Sequence, residues 1–260
     1  MGTSTSNPGQ KGGTPLIPSW LDDGDFPPQP QAPDRFTTPR ADFTRFINDN
    51  KSGNSGSTRH LSRAASRYVR NSLGGSSNAT TRLGAARTSA VRMFSVFNSI
   101  IKRGVDETQR SFKLGDIIGK KASEALLMIG EFVCPDGGST DEGIARDSYI
   151  EAIIAMPELQ EKNIEALSPP EFLAFTQHYM AKVIEDRLIN DIGTKSFSLP
   201  DSVTQIDEIQ QQLSGFISGA VSDAVTKLNV DISQIDSSQV KTIVDLIYKK
   251  SYDLLAGLEG

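Results

Sequence analysis

The group best placed to do chemistry in this sequence stands at its start. Gly2 follows Met1, and a residue that small permits removal of the methionine. That leaves a primary amine with an ordinary pKa of about 7.7 to 8.0, a usable nucleophile near neutral pH. Gly2 with Ser6 also fits the short M-G-x-x-x-[ST] acylation pattern, although one acyl chain binds membranes only marginally. A second group of interest is an arginine series. Arg59, Arg63, Arg67 and Arg70 are spaced four, four and three residues apart, which aligns them on one face of a helix as a basic stripe. With Arg82 they form a set suited to phosphates, nucleic acid or an acidic partner surface. Between them, Gly74 to Arg82 reads GGSSNATTR. It is either a phosphate-cradling loop ahead of a helix or a connection whose Thr80 or Thr81 caps that helix. It lacks the GK[ST] ending of a P-loop, so nucleotide hydrolysis is not expected.

Other residue types give little support to catalysis. His60 and His178 are the two histidines, and neither belongs to a metal-ligand spacing such as HExxH. Cys134 is the one cysteine, which excludes an internal disulfide and a thiolate metal cluster. It reads as a half-buried small residue at a helix end. Glu185-Asp186 and Asp207-Glu208 are adjacent acids whose side chains point in different directions on a helix, so they read as solvated faces. The sequence predicts no enzyme, no metal and no cofactor.

Two regions must position these groups. From Thr3 to Gly13 the chain holds four Ser/Thr, three Gly and one Pro, a composition that cannot offset the entropy of ordering. Pro15, Leu16, Ile17, Pro18, Trp20 and Leu21 then form a compact apolar plug, and Trp20 is the sole tryptophan. A lone Trp in such a segment is either an anchor for a partner's pocket or a ring that folds back onto its own chain. Residues 22–40 carry five prolines and read as a semi-rigid, partly polyproline II spacer. The chain therefore divides into a disordered Gly/Pro-rich tail over 1–40, a basic helical region over 41–121 and an acidic helical region over 122–260, the last two packed as one body. Residues 35–121 hold 17 Lys/Arg against 5 Asp/Glu, and 122–260 hold 9 against 23. Either the halves partly neutralise each other or each faces an oppositely charged partner. There is no apolar run near the ~18 residues of a membrane span and no secretory h-region, so a soluble cytoplasmic protein is expected.

The periodicity beyond residue 40 is helical throughout. Phe43, Phe46 and Ile47 mark a short amphipathic helix, and Leu61, Ala64, Ala65, Tyr68, Val69 and Leu73 back the arginine stripe. A core helix spans about 81–103 and stops at Gly104. The next covers about 114–133. Ser139 and Glu142 form a capping box for a helix expected to bury Ile144, Ile150, Ile153 and Ile154. Ser168-Pro169-Pro170-Glu171 opens a long helix with cap, N1 proline and reciprocal Glu. Asp201 or Ser202, and Asp236 or Ser237, cap the last two. Strand-like alternation is absent, so the fold class is all-α, a bundle-like array of seven or eight helices.

Several of these elements in combination resemble the QatB family of the four-gene Qat antiphage defence system. They are the N-terminal MGTSTS, the Gly-rich spacer, PLIPSW, the Pro-rich stretch, and Tyr68-Val69-Arg70 followed by GGSSNATTRLGAAR. The resemblance is most specific over residues 1–21 and 58–104. It implies three partners: an ATPase, an enzyme similar to the deazaguanine-forming QueC, and a TatD-like nuclease. It further implies that the QueC-like partner delivers an activated deazaguanine acyl group to the Gly2 amine. Thr3 and Ser4 would then be recognition residues, Pro15 to Leu21 a tether, and the helical body an adaptor. The other reading is a nucleic-acid-binding sensor that uses Arg59, Arg63, Arg67, Arg70 and Arg82.

Overall fold

The computed structural model describes residues 34–52, 57–193, 200 and 202–257. Among them the chain forms α-helices, short 3-10 and π turns and no strands. The α-helices are α1 (Thr37–Lys51), α2 (Ser57–Arg67), α3 (Ser76–Thr81), α4 (Gly84–Phe112), α5 (Ala122–Val133), α6 (Thr140–Ile154), α7 (Pro169–Ile192), α8 (Val203–Lys227) and α9 (Val240–Gly257). The expected all-α class holds. The ninth helix, α3, lies in the segment that reads as a Gly-rich loop.

One apolar core runs from Phe36 to Leu255 and draws on every helix. Phe97 is near its centre, with Phe172 4.7 Å and Phe175 5.6 Å away between ring centroids. Both are carried by α7, whose Phe172, Phe175, Tyr179, Val183, Ile184, Leu188 and Ile192 all point inward as their spacing predicts. Its Ser168 and Glu171 make the reciprocal capping bonds read from SPPE. Gly193 ends the helix with φ 82°, a conformation that favours glycine.

Gly104 acts as the expected stop within α4, where φ 80° and ψ 169° break the helical path. The helix resumes as far as Phe112, in a segment the sequence reads as a connector. Downstream, α5 begins at Ala122 rather than near residue 114. Residues 114–121 instead run as irregular chain, pinned where Ala122 N–H donates to Lys162 O at 2.9 Å and Ile164 N–H to Lys120 O at 3.0 Å.

The largest departure concerns α6. Its capping box forms between Ser139 and Glu142, but the buried residues are Ala145, Ser148, Tyr149 and Ala152. Ile150 is 39% exposed and Ile154 71% exposed. Small side chains let α6 approach α4 and α7 closely, and Tyr149 fills the gap with a hydroxyl that donates to Leu126 O at 2.8 Å. Apolar transfer favours isoleucine burial, yet only one face of a helix can meet the core. The Tyr149 face satisfies both packing and a buried hydrogen bond.

Candidate functional site

The predicted tail residues Gly2, Thr3, Ser4, Pro15, Leu16, Ile17, Pro18, Trp20 and Leu21 lie outside the described residues. The arginine set can be placed residue by residue. Arg59 is exposed and Arg63 half-buried on α2. Arg67, at the end of that helix, turns inward to a fully buried Asp42 on α1, 2.5 Å away, which Arg45 also contacts at 2.9 Å. A π-helical turn, Tyr68–Ser72, follows. It buries Tyr68 and Val69 and carries Arg70, which is exposed. The four arginines therefore do not share one uniform helical face.

The Gly74–Arg82 segment turns through two left-handed glycines, Gly74 at φ 77° and Gly75 at φ 97°, into the six-residue α3. Thr80 and Thr81 do not cap a following helix. Their hydroxyls donate back to Ser76 O at 2.9 Å and Ser77 O at 3.1 Å. Arg82 caps α3 half-buried, and Arg87 binds Asp245 of α9 through two contacts of 2.5 and 2.6 Å. Arg87–Asp245 joins the basic half to the acidic half, as does Tyr68, whose hydroxyl donates to Asp191 at 2.8 Å. Between the two halves the Arg87–Asp245 pair neutralises one charge of each sign.

The two histidines and the cysteine stand apart from one another. His60 Nδ1 lies 2.7 Å from Asp49, and His178 is exposed on α7. Cys134 is 3% exposed, more deeply buried than its position suggests, and its thiol donates to Ala145 O at 3.5 Å. Burial pushes the Cys134 thiol up, away from the thiolate that would react. Among the described residues, no three His, Cys, Asp or Glu side chains are placed to hold a metal ion. No described helix is long and apolar enough to cross a membrane.

An open cleft of about 330 Å³ runs along the outer face of α6, lined by Ile144, Asp147, Ile150, Glu151 and Ile154 with Asp186 of α7. Glu185 and Asp186 are not the solvated pair expected from sequence. Glu185 is 6% exposed, and burial pushes both carboxyls up while the neighbouring Lys182 opposes this. Lys182 lies 3.2 Å from Glu185, 3.0 Å from Asp186 and 3.7 Å from Glu151. Burial would lower its pKa, but these carboxylates hold it well above the usual lysine value. The cleft therefore combines apolar isoleucines with an excess of negative charge. Sequence reading missed it because it assigned those isoleucines to the core. The clue available was the run Ala145, Ser148 and Ala152 on the opposite face, small residues that permit close helix approach.

A second cluster joins Arg35, Arg40, Arg82, Arg187, Asp141 and Asp191, drawn from α1, α4, α6, α7 and the segments beside them. Arg187 is deeply buried and pairs with Asp141 and Asp191. Despite a burial penalty, these two carboxylates hold its guanidinium above its ordinary value. Of this cluster, only Arg82 was singled out by sequence pattern.

Comparison with known proteins follows the same range. The family model described as "QatB: Qat anti-phage system associated protein QatB" matches residues 74–255. No curated protein and no solved structure matches the chain. The matched range takes in α3 to α8 and most of α9, including the α6 cleft and most of the arginine cluster, whereas the tail motifs lie before it. Since that range is well over half of the sequence, the chain belongs to the QatB family and is a component of the Qat anti-phage system.

Proposed function

We propose that this chain is a noncatalytic, cytoplasmic adaptor of the Qat anti-phage defence system. Its helical body docks partner proteins while its N-terminal segment presents Gly2 to a QueC-like enzyme. The observation that carries the adaptor reading is the outer face of α6. Ile150 and Ile154 stand exposed beside Asp147, Glu151 and Asp186, although an isolated globular body gains from burying such side chains. Apolar residues flanked by one sign of charge suit a helix with an apolar stripe and basic flanks. The occupant is assigned as such a helix on the ATPase or the TatD-like nuclease of the same system.

The tail completes this account. The Gly2 amine attacks the carboxyl carbon of a 7-carboxy-deazaguanine that ATP has activated as its adenylate; an amide C–N bond forms as the C–O bond to AMP breaks, AMP leaves and the amine gives up a proton to water, while Thr3 and Ser4 are read by the conjugating enzyme and Pro15 to Leu21 with Trp20 tether the segment. The mass of the N-terminal peptide, with and without the partner genes, tests this assignment.

A nucleic-acid sensor is the second reading. Arg59 and Arg63 support it, since neither has a hydrogen bond or ion pair to a described residue. Arg67 weakens it, being engaged with the buried Asp42. Binding to DNA or RNA that falls steeply with salt would favour the sensor.

A further inference from the structure

Where the described chain begins, positive charge is concentrated beyond what its neighbours compensate. Arg187 and the Tyr68 hydroxyl take up the Asp141 and Asp191 carboxylates. The Arg187 Nε to Asp191 distance is 3.4 Å and the Tyr68 Oη to Asp191 distance 2.8 Å. Arg40 crosses to the end of the same helix. Its Nε donates to Ile192 O at 2.6 Å and its Nη2 to Asp191 O at 3.2 Å. Two more guanidiniums stand in this field. Arg82 stands two residues before Gly84, whose missing side chain would lie 3.0 Å from Asp141 Oδ2, and Arg35 is held through its carbonyl by Ser72 of the turn that carries Tyr68; the charges of both are felt with those of Asp191 and Arg187. Four arginines thus face two carboxylates that already have partners.

Arg35 and Arg82 make no hydrogen bond or ion pair with a described residue. The Arg35 Nε is buried without an acceptor, while its guanidinium carbon lies 4.7 Å from the centroid of the Phe36 ring. The Arg35 carbonyl accepts from Ser72 Oγ at 2.6 Å, which fixes the backbone beneath that side chain. Tyr252 is 0% exposed, and its hydroxyl also has no partner. It shares the field of Tyr68, Arg187 and Asp191. A buried donor left unmade is costly, so the Arg35 Nε beside uncompensated charge marks a place for an acceptor. Burial, and then the charge of Arg35, pushes Arg82 below its ordinary value.

We propose that Arg35 and Arg82 form an oxyanion site at the root of the N-terminal segment, and that it takes the phosphate group of a small molecule. Guanidinium forks match tetrahedral phosphate oxygens two at a time, and both side chains remain partly exposed for entry. Arg187 and Asp191 are the rigid support, held by α6 and α7. The ligand bridges Arg35, which directly precedes α1, to Arg82, which joins α3 to α4. It therefore fixes the direction in which the N-terminal segment leaves the body. The site does not depend on the adaptor reading.

The test is isothermal titration of the full chain with inorganic pyrophosphate. Binding should be saturable in the wild type, about tenfold or more weaker in Arg82→Gln and in Arg35→Gln, and unchanged in Arg110→Gln, which removes an exposed charge near the end of α4. Arg82→Lys keeps the charge without the fork and should also bind more weakly than wild type, which preserves the test should Arg82→Gln fail to fold. Equal weakening in Arg110→Gln and Arg82→Gln would reduce the effect to general electrostatics and overturn the site. Absence of binding at millimolar pyrophosphate would do the same. Binding that appears only after Asp22, Asp23 and Asp25 are all changed to Asn would also overturn it, because the acceptor would then be the chain's own carboxylates.

Discussion

Tyr149 of α6 lies against the bare flank of Gly130 on α5, with its Cε1 3.0 Å from the place a methyl group would occupy. The ring cannot easily yield. Its hydroxyl donates to Leu126 O at 2.8 Å, and its edge meets Phe175 and Tyr179 at centroid distances of 5.4 and 6.2 Å. This contact sets the rotation of α6 and so leaves Ile150 and Ile154 outside. Gly130→Ala gains about 1 kcal/mol in helix propensity but incurs about 1–3 kcal/mol of overpacking. Net destabilisation of about 1 kcal/mol is expected by urea denaturation, and a stabilised variant would show that the Tyr149 ring gives way.

The pairing of Asp42 with Arg67 and Arg45 predicts an asymmetry. Asp42 is 0% exposed, whereas the side chains of Arg67 and Arg45 are 34% and 57% exposed. Asp42→Ala should cost about 2 kcal/mol, since it leaves Arg67 without its buried partner. Arg45→Ala should fall within about 0.5 kcal/mol of wild type. Equal costs in denaturant melts would contradict this division.

Glu171 links the start of α7 to pH. Its ion pair with Lys162, then the Ser168 hydroxyl and amide, pull its carboxyl down from 4.5 to about 2. A carboxyl depressed on folding adds stability above its unfolded pKa and loses it as pH falls through the folded value. Wild type should therefore exceed Glu171→Gln by about 1 kcal/mol near neutrality. The gap should close between the ordinary value of 4.5 and about 2. A gap that persists at the acid end would assign the effect to packing rather than charge.

The α6 cleft predicts a separation of stability from assembly. Ile150→Gln with Ile154→Gln changes exposed side chains, so melting should move by less than about 1 kcal/mol. Co-purification of the other Qat proteins with this chain should fall sharply. Full recovery of the complex by the double variant would remove the cleft as the docking face.

The parts of the fold legible in the sequence are those set by local chemistry. SPPE announced α7, Ser139 with Glu142 announced α6, and Gly104 marked a break, because caps and left-handed glycines act within a few residues. The orientation of α6 was not legible. Ile144, Ile150 and Ile154 line the outer face and Tyr149 with small residues the inner one, Ile153 packing partly against the core as expected, and the choice between the faces is made by Gly130 and Phe175, distant in sequence. The arginine stripe shows the same limit. Its spacing was readable, but the partner of Arg67 is Asp42, 25 residues away. Arg35 belongs to no pattern at all, and only folding brings its carbonyl to Ser72 and its guanidinium over the Phe36 ring.

The most direct test of the adaptor account is the mass of the intact chain and of its N-terminal peptide after expression with and without the QueC-like partner. A variant with one extra residue ahead of Gly2 serves as the blocked control. The account predicts a nucleobase-sized addition on the Gly2 amine that requires the partner and is absent from the blocked variant. A Gly2 that stays unmodified under every condition, infection included, would contradict it.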